Sequence, residues 1–289
     1  QDIIRSTLTY VQLILEQGIE EWRFEEQAKM LTTSFRFQDK SQPIHYVSSL
    51  ASRLQEHDPE EVLSAPYTMD EFDSELLRDF ATRFNTNNMV AVLMAPDVET
   101  DKTEKWYQTP YSLREFTEAE IDVINSRETN TQMAMPAPNQ FVPDSLELLR
   151  GPSMAQPVVI LEAPGYTAWY AKDVSFGSPK SSFYLSVRSP LANQSADHVV
   201  LTELYVALAR DALAEYSYPA YLAGLDFRLY RHLRGITVRI DGFSDKQTVL
   251  LERILDTLKN LKIQPRRFEQ NKTDLERDLR NALKNKPFE

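Results

Sequence analysis

Apolar side chains recur at Ile4, Leu8, Val11 and Leu15, a spacing that gathers them on one face of a helix. Gly18 stands just beyond the last of them, where a left-handed C-terminal cap belongs, so the chain is predicted to open with an amphipathic helix. Helical periodicity returns over about 19–35, about 43–57 and about 69–84, and Thr68 with Glu71 has the T-x-x-E spacing of a capping box before the last of these. Residues 88–95 are apolar at Met89, Val90, Ala91, Val92, Leu93 and Met94, on both faces of an extended chain, which predicts a strand buried inside a sheet. A second capping box, Thr117 with Glu120, precedes a short helix to about Arg127.

Between residues 128 and 157 the periodicity disappears, while Pro136, Pro138, Pro143, Pro152 and Pro157 accumulate. An aperiodic, proline-rich stretch predicts a linker with few buried contacts; one long surface loop is the alternative, though loops of that length without structure are uncommon. Strands follow at about 158–162, about 166–172 and about 182–188, the last alternating Phe183, Leu185 and Val187 with Tyr184, Ser186 and Arg188. A helix spans about 196–216. Leu225, Phe227 and Leu229 then alternate towards a turn at Gly235 and are answered by Ile236, Val238 and Ile240, the pattern of a hairpin. Ser244 and Gln247 are spaced to cap a helix carrying Leu250, Ile254, Leu258 and Leu261, and Pro265 opens a last one with Phe268, Leu275, Leu279 and Leu283. The class is α+β, with mainly antiparallel sheets and helices packed on one side.

Composition narrows this picture only in places. A chain of 289 residues with 42% hydrophobic and 26% charged content has material for two domains or parts of two. No apolar run reaches the roughly eighteen residues of a membrane-spanning helix, and Gln1-Asp2-Ile3-Ile4-Arg5 lacks the features of a signal peptide, so no membrane partner is expected. The chain starts without Met inside a periodic pattern; natural sequence is expected upstream, and both ends are taken as cut ends. Without Cys there are no disulfides, thiolate ligands or Cys nucleophile, and the compartment stays open. The formal charge of −11 is concentrated in residues 1–130, which carry 25 acidic and 12 basic side chains. That balance opposes nucleic acid as a partner. The eight Lys/Arg of residues 262–286 are interleaved with four Asp/Glu, as on a solvated helix face.

A search for chemistry finds decoys. His57-Asp58-Pro59-Glu60-Glu61 approaches an H-x-x-E-H metal motif, but Glu61 replaces the second His and Pro59 disfavours the helix that would present both ligands. His198 and Glu203 lie five residues apart on one predicted helix, about 140° round its cylinder, and do not face one ion. His45 and His232 have no partner at useful spacing. Seven scattered glycines form no phosphate-binding motif, and no G-x-S-x-G elbow is present. Glu20-Glu21, Glu25-Glu26 and Glu60-Glu61 fit a solvated acidic surface better than a carboxylate pair. Tyr216, Tyr218, Tyr221, Phe227 and Tyr230 could line a peptide-binding wall, although at this density ordinary core is the commoner outcome. No catalytic, cofactor-binding or metal-ligating residue is assigned.

What identifies the chain is a succession of phrases. Glu21-Trp22, Phe35-Arg36-Phe37-Gln38-Asp39-Lys40 with Pro43, Pro59-Glu60-Glu61-Val62-Leu63 and Trp106-Tyr107-Gln108-Thr109-Pro110-Tyr111 resemble successive blocks in the second domain of the insulinase/pitrilysin family of zinc metallopeptidases. Pro138-Asn139-Gln140-Phe141-Val142-Pro143 resembles that family's P-x-N-x-F-I-P stretch before the link between its halves. Glu215-Tyr216-Ser217-Tyr218-Pro219-Ala220-Tyr221-Leu222-Ala223-Gly224-Leu225 and Gly242-Phe243-Ser244-Asp245-Lys246-Gln247 are similar to its third domain.

The resemblance implies two partial insulinase-type α/β sandwich domains: residues 1–127 as the later part of the second domain, 128–157 as the link between halves, and 158–289 as the earlier part of the degenerate third. Zinc, held in the family by H-x-x-E-H and a distant Glu in the first domain, is expected outside this chain. The third domain's helix at about 196–212 departs from the motif at Asp197-His198-Val199-Val200-Leu201-Thr202-Glu203, so no ligand is carried over. The implied role is the non-catalytic middle region of a metalloendopeptidase that encloses peptides, supplying chamber wall and hinge. A catalytically inactive interaction or processing subunit is the alternative. Implied partners are the missing domains of the same polypeptide and the parent's peptide substrates. Bacterial pitrilysin-like members are typically exported, which points to the periplasm, with the cytoplasm as the other option.

Overall fold

The computed structural model describes residues 2–126, 133–282 and 284. The expected helix end at Arg127, the first part of the proline-rich segment (128–132) and Leu283 lie outside the described residues. The chain falls into two compact units interleaved in sequence: one takes residues 1–28 and 68–138, the other 29–67 and 139–289.

In the first unit, α1 (Asp2–Gln17) carries the expected apolar stripe and ends at Gly18, whose φ of 78° lets its N–H reach Ile14 O at 2.8 Å. It packs on α4 (Ser74–Thr82) and α5 (Glu118–Asn125) and receives a hydrogen bond from Arg78 at the Leu15 carbonyl. Phe24, near the start of α2 (Glu21–Arg36), meets Phe72 with ring centroids 5.6 Å apart. The Thr117 capping box is fully formed: Glu120 N–H donates to the Thr117 hydroxyl, and the Glu120 carboxylate accepts from Thr117 N–H. Arg114 clamps the same carboxylate with two bonds of 2.8 Å, and this hydrogen-bonded pair, helped by the Thr117 amide, holds the Glu120 pKa at about 2. A short ribbon, β1 (Lys102–Thr103) with β2 (Pro110–Tyr111), turns over Glu104, which accepts from the amides of Trp106 and Tyr107.

Two expectations fail in this unit. Thr68 and Glu71 do not cap a helix: α4 begins at Ser74, because Asp73 has the extended backbone of an N-cap and its carboxylate accepts from the amides of Glu75 and Leu76 at 3.0 and 2.9 Å. Residues 89–95 form no strand, and Val90 and Met94 are 86% and 89% exposed. A strand needs lateral partners for its backbone groups, and no described strand pairs with this segment.

The second unit contains the rest of α2, α3 (Pro43–Arg53), a hairpin of β3 (Val158–Ala163) with β4 (Tyr166–Tyr170), and the antiparallel sheet β5–β7–β6. Its strands are β5 (Lys180–Arg188), β6 (Leu225–His232) and β7 (Gly235–Phe243), with β7 central. α6 (Ala196–Leu222) packs on β6 and α7 (Gln247–Lys259) on β7; α8 (Pro265–Ala282) packs on α6. The core between sheet and helices holds Val206, Ala209 and Leu213 of α6, Leu225, Leu229, Val238 and Ile240 of the strands, and Leu250 and Ile254 of α7. Gly242 is required at its place: with φ 124°, a Cβ there would sit 2.1 Å from the Gly224 carbonyl oxygen.

Here too the structure amends the sequence reading. α7 has no capping box, since Ser244 lies in a 3-10 turn and the Gln247 amide instead donates to Ser181 O and Gly242 O, tying the helix to two strands. α6 runs six residues past Tyr216, through Pro219. The stretch expected to have few buried contacts contains Phe141, which is 1% exposed and belongs to the core. Asn139 fixes the approach, donating to Pro219 O at 2.8 Å and accepting from Phe141 N–H at 3.0 Å. The β3–β4 hairpin leaves Val159, Ile160, Leu161 and Trp169 exposed.

Candidate functional site

The β5–β7–β6 sheet has two unlike faces, because successive side chains alternate. One face carries Phe183, Leu185, Leu225, Leu229, Val238 and Ile240 into the core. The other bears Ser182, Tyr184, Ser186 and Arg188 on β5 and Asp226, Arg228 and Tyr230 on β6, all exposed, around a better covered row on β7. Cross-strand register sets these in order: Ser182, Asp241 and Asp226; then Tyr184, Arg239 and Arg228; then Ser186, Thr237 and Tyr230.

The electrostatics of this open face centre on Asp241. It accepts from the Ser182 hydroxyl at 2.6 Å and pairs with Arg239 at 2.7 Å. Burial pushes its carboxyl pKa up, but the hydrogen bonds from Ser182 and Arg239 outweigh that and leave it below its ordinary value. The bond to Asp241 raises Arg239 in turn, and its guanidinium lies 5.1 Å from the Tyr184 ring centroid. His232 contacts Ser186 across the same face, ring nitrogen to hydroxyl, at 3.1 Å.

The aromatic cluster divides. Tyr216 stands against Phe141 and under the Arg253 guanidinium, and Phe227 packs on the core, whereas Tyr218, Tyr221 and Tyr230 are exposed. The histidines do not converge. His198 contacts the Ser195 hydroxyl at 2.9 Å beside an apolar groove of about 310 Å³ that includes Leu191, Leu201 and Tyr205. Glu203 pairs with Arg231 at 2.9 Å and is not turned to His198. Among the described residues no three His, Cys, Asp or Glu are placed to hold a metal ion. These residues therefore do not fit a zinc centre, and no metal chemistry is assigned to them. No helix among the described residues is long and apolar enough to cross a membrane.

The open face was not singled out from the sequence, although a signal was available. A two-residue turn at Leu233-Arg234 joins β6 to β7, and once that turn is recognised the register obliges Arg228 to face Arg239.

Comparison with known proteins gives a consistent result. Residues 35–289 match the model of the middle or third domain of peptidase M16. The chain is 31% identical over its full length to insulin-degrading enzyme of Bos taurus and 30% identical to that of Homo sapiens, covering 29% of each. Its fold is like that in a crystal structure of pitrilysin, with a TM-score of 0.76, 23% identity, and coverage of 99% of this chain and 31% of that one. The chain thus spans somewhat under a third of the length of the relatives it matches.

Proposed function

Since the chain belongs to the peptidase M16 family, by its middle or third domain, we propose that it is the non-catalytic middle region of a zinc metalloendopeptidase that encloses and hydrolyses peptides. In this reading it supplies chamber wall and the connection between the parent's halves, and catalysis resides in other domains of the same polypeptide. The observation that carries it is the family match from residue 35 to residue 289, on a chain whose described residues offer no metal-ligand cluster.

Two surfaces support the dependence on other domains. The apolar segment 89–95 has no strand partner among the described residues, and the β3–β4 hairpin exposes Val159, Ile160, Leu161 and Trp169. A two-stranded ribbon alone is marginal in water, and contiguous apolar patches mark contact surfaces. Strands from the remainder of the parent would pair with both.

The test compares this chain with the parent protein carrying its flanking sequence. The parent should hold one zinc per molecule and cleave an unstructured peptide in a chelator-sensitive way, while this chain does neither. A parent with neither zinc nor cleavage would replace the enzyme reading with that of an interaction or processing subunit.

A further inference from the structure

Arg228 of β6 and Arg239 of β7 are directly opposed across the sheet. Like charges at that position repel, so each needs an offset. Arg239 has one in Asp241, at 2.7 Å. Arg228 lies 3.9 Å from Asp226 and also acts on the Asp241 carboxylate, and its own side chain is 67% exposed. Its guanidinium keeps most of its planar fork of N–H donors turned to solvent. Tyr184, beside Arg239, and Tyr230, two residues along β6, put phenol rings on the same exposed face.

We propose that Arg228, with Arg239 and the Tyr184 and Tyr230 rings around it, is a subsite for an acidic side chain of an extended peptide lying across the open face of the β5–β7–β6 sheet. A carboxylate matches the exposed guanidinium fork of Arg228 in a bidentate arrangement, which a neutral or basic side chain cannot do. The chain's overall charge of −11 does not forbid it, because at physiological salt charges beyond about 8 Å are largely screened and the nearest ones decide. Nucleic acid fits less well: repeated phosphates need many cations in a row, and Asp226 and Asp241 flank this pair. The proposal rests on the reading above only in taking this face as one that meets peptides.

The experiment uses this chain, labelled for backbone amide NMR, and three extended peptides that differ at one central position: Glu, Gln or Lys. The Glu peptide is expected to shift amides of β6 and β7, with affinity about fivefold above the Gln peptide at physiological salt, as befits one exposed charge-assisted pair. Arg228→Gln, an exposed and size-conserving change, should erase the difference while leaving the other amide positions unchanged. Arg239→Gln serves as a second variant and should weaken the preference less. Equal binding of the three peptides, no shifts on β6 and β7, or an Arg228→Gln chain that still prefers Glu would each overturn the proposal. None of these outcomes bears on the zinc content of the parent, so failure here is distinct from failure of the M16 enzyme reading.

Discussion

The Phe141 ring stands edge-on to Tyr216, centroids 5.5 Å apart and planes at 87°. An aromatic pair of this geometry adds about 0.5–1.5 kcal/mol beyond the area it buries, and Phe141 is also among the most buried side chains of its unit. Phe141→Ala is therefore expected to cost about 3–5 kcal/mol in chemical denaturation. Phe141→Leu, which refills most of the space, should cost clearly less. A loss within the scatter of surface substitutions would mean that residues 139–143 are not anchored.

Proteolysis follows from the same anchor. Trypsin should cut at Arg150, in an exposed segment without helix or strand, before it cuts inside α6 or α7, because cleavage needs local opening and the core helices oppose it. Peptide mapping at short times reads the order. First cuts at Arg210 or Arg253 would contradict the placement of the core.

Segment 89–95 gives a sharper test, because sequence and structure disagree about it. Leu93→Ser should change stability by no more than about 0.5 kcal/mol, as expected for an exposed position, and should lower the binding of a hydrophobic dye. Were Leu93 inside a buried strand, the substitution would cost about 2–5 kcal/mol.

The disagreement shows what a local pattern can carry. The capping box at Thr117 and Glu120 and the alternation of β5 and β7 are local, and they folded as read. Residues 89–95 have the right composition for a strand, but pairing depends on backbone elsewhere, and composition cannot supply it. Ser244 and Gln247 have capping-box spacing, yet the Gln247 amide is taken by Ser181 O and Gly242 O, 66 and 5 residues away. Phe141 escaped because a single anchoring ring in an aperiodic stretch leaves no period to detect. On the candidate face, Tyr184 and Tyr230 could be placed on their strands from sequence, whereas the offset of Arg239 by Asp241 and the exposure of Arg228 needed coordinates.

Glu120 offers a pH test. Arg114 and the Thr117 amide favour its ionised form, so its pKa lies at about 2 in the folded chain. A depressed folded-state pKa means that its contribution is present above the ordinary carboxylate range and is lost as pH falls towards 2. Carboxyl NMR should find its midpoint near 2, shifted up in Arg114→Gln. A midpoint in the ordinary range would show that the Arg114 clamp does not form in solution.

If this chain is the non-catalytic middle of an M16 peptidase, as proposed, the measurement that tests it is the metal content of the purified 289-residue chain after zinc loading and dialysis, read beside cleavage of an unstructured peptide. Zinc far below one equivalent and no chelator-sensitive cleavage are expected, because His45, His57, His198 and His232 belong to no group of three placed to hold a metal among the described residues. One equivalent of zinc that survives dialysis, together with cleavage that a chelator abolishes, would contradict the proposal.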